Sequence, residues 1–189
     1  MIVADIERII RGRRASDAMS KPKGGALMTT KDAIRNTIDT CHGVLTAYVG
    51  DMTDADLLVR PVPEANHIAW QLGHLVAAEH EMMTELGHQM PQLPAGFAES
   101  YTKESSRSDD SAKFHSKDEY LKLMAQQREA TLAALEATPE SDLDKSAPES
   151  MRDYVPTVGA ALNLIGMHEL MHAGQFVPVR RQLGKPVLF

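Results

Sequence analysis

The segment GMHELMHAGQFVPVRRQLGKP (Gly166–Pro186) contains His168-Glu169-Leu170-Met171-His172, the His-Glu-x-x-His spacing of zinc peptidases. Two histidines four residues apart lie on one face of a helix, about 6 Å from each other. Imidazoles so placed can share one metal ion at about 2.0–2.1 Å from each nitrogen. Leu164, Ile165 and Gln175 fall on the same face. The pair is therefore expected to point into a core, where a charged imidazolium would be costly and a metal would account for both rings. The plainer alternative is a pair of polar residues flanking a core.

A peptidase needs more than these five residues. Its third ligand usually lies downstream, as a Glu on a later helix or the last His of the extended motif. After His172 the chain reads AGQFVPVRRQLGKPVLF, with no His, Glu or Asp, and Gln175 stands where the extended motif has Gly. A peptidase of this type also aligns its substrate along a sheet edge, and no strand pattern is present. Spacing alone leaves open the inverse arrangement with its third ligand upstream. The peptidase reading nonetheless fails this first test and is disfavoured, and a third ligand is expected from upstream.

Hydrophobic periodicity sets out four long helices. The first spans about 31–49, with Ile34, Ile38, Cys41, Val44, Leu45 and Tyr48 at helical spacing and Thr30 as its N-cap. The second spans about 67–86, capped by Asn66 and ended by Gly87. Ser116 and Glu119 form a capping box for a third, reaching about residue 137, with Tyr120, Leu123, Met124, Leu132 and Leu135 inward. The fourth runs from about 157 to 183 and is stopped by Gly184 and Pro186, with Arg180 and Arg181 near the negative end of its dipole. Pro178 is expected to interrupt that helix by removing an amide and leaving the Gly174 carbonyl without its partner. Two polar connections, ESYTKESSRSDDSAKFHS and TPESDLDKSAPESMRDYVP, are too long for tight turns, and the first is expected to be mobile or to cover something. The expected fold is all-α: a four-helix bundle over 28–189, preceded by an extension over 1–27 that Pro and Gly separate from it near Ser20–Gly25.

The second helix carries His67, His74, His80 and His88. His74 lies in an apolar run beside Gly73, which would permit a close helix approach, and is the best-placed third ligand. His67 sits two turns earlier and is expected, with Gln175 of the last helix, to line the pocket. His80 falls on another face and is read as solvent-exposed. Trp70, four residues before His74, either walls the site or packs the core. Glu169 is about 100° around the helix from His168, which leaves three roles open: a solvated side chain, an acceptor behind a ligand, or a general base. Arg152 and Tyr154 are read as loop residues.

Composition narrows the setting. The formal charge of −6 disfavours a broad nucleic-acid surface, and no apolar run is long enough to span a bilayer. Cys41 is the single cysteine, so no intrachain disulfide or thiolate zinc site can form, and it reads as a packed thiol. The first residues lack a secretory layout, and a reducing cytoplasmic location is expected.

Taken together, IAWQLGHLVAAE and MHELMHAGQFVPVRRQLGKP resemble the DinB/YfiT-like metalloprotein superfamily. That pattern is a Gly-His on an apolar helix, then His-x-x-x-His-x-Gly-Gln on the last helix, an arginine and Leu-Gly-x-Pro. The resemblance covers roughly residues 29–189. It implies a four-helix bundle with a divalent metal on His74, His168 and His172, Zn or Ni ahead of Fe or Co. It also implies a metal-dependent transferase that activates a low-molecular-weight thiol against a small electrophile, and a homodimer. A non-catalytic metal-binding protein and a metal-dependent hydrolase are the alternatives.

Overall fold

The computed structural model describes residues 27–188. The extension expected over 1–27, with its break at Ser20–Gly25, lies outside them apart from Leu27. Five helices follow: α1 (Thr30–Val49), α2 (Asp54–Leu57), α3 (Ile68–Glu85), α4 (Lys117–Ala137) and α5 (Val158–Gln182). No strand is present among the described residues, only an isolated bridge between Ser146 and Thr157. None of the described helices is long and apolar enough to cross a membrane. The four long helices are those the periodicity anticipates, and they form the bundle. α1 packs along α5, and α3 lies against both α4 and α5.

Local chemistry sets the helix starts. Ser116 and Glu119 make the expected capping box on α4. On α1 the cap is Thr29, not Thr30, because Asp32 reaches back to the Thr29 amide over 2.9 Å. On α3 the cap is His67, not Asn66: its Nδ1 accepts the Trp70 amide over 3.1 Å. The short α2 has its own Thr53–Asp56 box and is too brief for periodicity to reveal.

Pro178 does not interrupt α5, which continues to Gln182. Both Pro178 and Gly174 lie on the exposed side of the helix. Gly184 ends the helix at φ +68°, and the Lys185 amide donates to the Arg180 carbonyl over 2.8 Å. Arg180 does more than offset the dipole. It is fully buried, forks onto the Asp51 carboxylate and donates to the carbonyls of Tyr48 and Pro186. This locks the end of α5 to the turn after α1.

Gly166 brings α5 and α1 together. A Cβ on this residue would lie 2.9 Å from the Ile38 Cα, closer than packed atoms tolerate. The core has two main apolar clusters, and a third, smaller one of Ala147, Met151, Val155 and Ala161 lies beside them. One main cluster contains Leu45, Leu72, Val76, Met124 and Phe176, and the other Ile38, Met83, Leu135, Leu162 and Ile165. Between these two, along every long helix, lies a buried polar layer of His42, Glu79, Arg128, Thr131 and Glu169. Arg128 Nη2 donates to Glu79 over 3.1 Å and forms an ion pair with Glu169 at 2.8 Å, and Thr131 donates to Glu79 over 2.7 Å. Burial pushes the Glu79 carboxyl up, against the pull of Arg128.

Candidate metal centre

α3 contributes Trp70, Gln71 and His74, and α5 contributes His168 and His172. The ligating nitrogens of His74, His168 and His172 all lie within 4.8 Å of one another. The Nε2 atoms of His168 and His172 are 3.1 Å apart, and the His74 ring centroid is 5.2 Å from that of His168 and 5.3 Å from that of His172. Two nitrogens on one tetrahedral zinc ion would be about 3.3 Å apart, so the pair already stands at ligand spacing.

The rings are held from behind. His172 Nδ1 donates to the Gln71 side-chain oxygen over 2.8 Å, and the Gln71 amide donates to the Asn66 carbonyl over 2.8 Å. With its proton on Nδ1, His172 turns the Nε2 lone pair toward His168 and His74. His74 is oriented by stacking on Trp70, with centroids 5.0 Å apart and planes inclined by 6°. The Trp70 indole is fixed in turn by donation to the Thr102 carbonyl (3.2 Å) and Ser105 hydroxyl (3.0 Å). Burial, reinforced by the neighbouring histidines, lowers the pKa of His168 to about 4 and of His172 to about 3; burial also lowers that of His74. Three neutral imidazoles at neutral pH, gathered at this spacing, are the donor set a divalent cation requires.

The other expected site residues are placed differently. His67 is fully buried, and both its nitrogens are used: Nδ1 caps α3, and Nε2 donates to the Ser108 carbonyl over 3.1 Å. It is not in the wall of the cavity beside His74 and braces the start of α3. Gln175, one turn beyond His172, is exposed and does not share its burial. Glu169 is buried, and its Oε1 pairs with Arg128 at 2.8 Å and with His42 Nδ1 at 3.2 Å. It is neither solvated nor poised as a base, because α4 supplies a buried cation that the spacing within α5 could not reveal. His80 is half-buried, its Nδ1 donating to Gln127 over 3.1 Å. Arg152 donates to the Ala147 carbonyl and Tyr154 is exposed, as loop residues do, and Cys41 is buried, a packed thiol. Gln71 went unnoticed in the sequence; its signal is a lone amide in an apolar run, three residues before His74.

Gly73 makes room for a loop, not for a helix. A Cβ there would fall 2.0 Å from the Tyr101 ring, which packs on α3 beside His74. The Tyr101 hydroxyl pairs with Tyr120 (2.7 Å) and His115 (2.9 Å). The polar connection expected to be mobile or covering is thus a folded cover. Arg60 ties it down, donating to the carbonyls of Ser106 (2.9 Å) and Ser108 (3.0 Å) and to Asp109 (2.6 Å). Between this cover and α3 opens a cavity of about 600 Å³ whose wall includes Trp70, His74 and Tyr101.

The model of the DinB superfamily matches residues 37–176, which include all three histidines. The chain belongs to the DinB superfamily. A crystal structure of a conserved protein from Enterococcus faecalis has the same fold, with a TM-score of 0.57 at 17% identity, over 84% of this chain and 100% of that one. No curated protein matches the chain. This DinB-superfamily chain therefore pairs an all-α bundle with a three-histidine cluster between α3 and α5.

Proposed function

We propose that this protein is a divalent-metal-dependent transferase that activates a low-molecular-weight thiol for attack on a small electrophile. The observation that carries the reading is the alignment of His74, His168 and His172, with the His172 tautomer set by Gln71 and the ligand nitrogens within 4.8 Å of one another. A cation held there supplies Lewis acidity, which lowers the pKa of a thiol at an open coordination position. Gln71 and Trp70 keep the rings in register. The cavity beside His74 has room for a small cosubstrate, within the usual range of ligand sites. Zinc or nickel suits three imidazoles best. The proposed setting is a reducing cytoplasm. A homodimer is part of the reading, supported by exposed Met167, Leu170 and Met171 along one side of α5.

Elemental analysis of the wild type and His168→Ala tests the metal; conjugation assays with several cellular thiols and electrophiles test the reaction. Near-stoichiometric metal that is lost in the variant is expected. Equal metal content in both proteins excludes the three-histidine centre. Metal without thiol consumption favours a non-catalytic metal-binding protein. Sedimentation of the purified chain tests the dimer.

A further inference from the structure

We propose that the cavity beside His74 seats a carboxylate-bearing cosubstrate, its acid group held by Lys103 and Arg107; this rests on the transferase reading above. The charged residues in the wall are Arg60, Glu64, Lys103, Arg107 and Asp109. Arg60 is spent on Asp109 and on the carbonyls of Ala65, Ser106 and Ser108. Lys103 and Arg107 are exposed and make no ion pair among the described residues, and Glu64 is the one carboxylate of the wall left unpaired. The unpaired charge is therefore two cations against one anion, on a chain whose net charge is −6. Local positive charge on an acidic protein draws an anionic ligand to this opening.

The position of the two cations matters as much as their sign. Both lie on the cover, which the Arg60 bonds and the Trp70 indole bonds hold against α3. They are thus carried on a pinned segment, and His74 lines the same cavity. A ligand with an acid at one end and a soft donor at the other spans this arrangement. An uncharged thiol gains nothing from the rim.

Titration calorimetry of the zinc-loaded full chain with S-methylglutathione isolates the acid-binding half, because the blocked sulfur cannot become a thiolate. The wild type is expected to bind this probe about tenfold more tightly than its diethyl ester, with the difference shrinking as salt is added. The double variant Lys103→Gln/Arg107→Gln, at two exposed loop positions, is expected to erase the difference while ester binding and the thermal midpoint stay unchanged. Equal binding of acid and ester by the wild type, a preference that survives in the double variant, or no binding of either at millimolar concentration overturns the assignment. Unblocked glutathione on the cobalt-loaded protein, followed by the thiolate-to-cobalt absorption band, judges the transferase reading separately. An acid preference without that band leaves the acid subsite standing and removes the thiol. A band without acid preference does the reverse.

Discussion

His172 donates its Nδ1 proton to the Gln71 side chain over 2.8 Å, so the orientation of one presumptive ligand on α5 is set by an amide on α3. Losing such a hydrogen bond behind a ligand usually costs about 10–100-fold in metal affinity. Gln71→Leu should therefore weaken zinc binding by about that factor in chelator competition. Unchanged affinity would show that Gln71 has no hold on the centre.

The buried polar layer makes a prediction by charge count. Two carboxylates, Glu79 and Glu169, share Arg128. Arg128→Met leaves both without their cation and should lower stability by about 3–5 kcal/mol in denaturant titration. Glu169→Gln leaves the Glu79–Arg128 pair balanced and should cost clearly less. It should also keep the metal content of the wild type. Metal loss from a folded Glu169→Gln protein would return that glutamate to the centre.

Gly166→Ala tests the contact between α1 and α5. Alanine is the better helix former by about 1 kcal/mol. The added methyl, however, meets backbone at 2.9 Å, and overpacking of this kind costs about 1–3 kcal/mol. A net fall in the thermal midpoint is expected, together with weaker metal binding, since His168 follows two residues later. A rise in midpoint would mean that the two helices can part without loss.

Acid should destabilise the metal-free protein through its histidines. His168 and His172 titrate near 4 and 3 when folded, below the ordinary value of 6.5. Between those limits the unfolded chain binds more protons, so stability rises with pH. The stability is complete above about pH 6.5 and declines as pH falls toward 4 and then 3. Replacing both histidines with glutamine should flatten the denaturation midpoint over that interval. A slope equal to that of the wild type would place the acid sensitivity elsewhere.

Much of this was readable from residue order. Helical periodicity located α1, α3, α4 and α5, because each buries a stripe that local spacing records. The i, i+4 spacing of His168 and His172 fixed a shared face before any packing was known.

Roles that depend on a partner from another helix were beyond that reach. Gly73 reads as a place for a helix, yet receives the Tyr101 ring. His67 reads as a pocket residue, yet spends both nitrogens on the backbone. Glu169 reads as solvated or as serving the centre, yet pairs with Arg128 of α4 and His42 of α1. By itself, then, the sequence determined the helices and the shared face of the α5 pair, since both follow from the pitch of one helix. Only the tertiary structure decided that Gln71 orients His172, that Trp70 orients His74, and that Glu169 belongs to the bundle's polar core, since each of these depends on groups that folding brings together from separate segments.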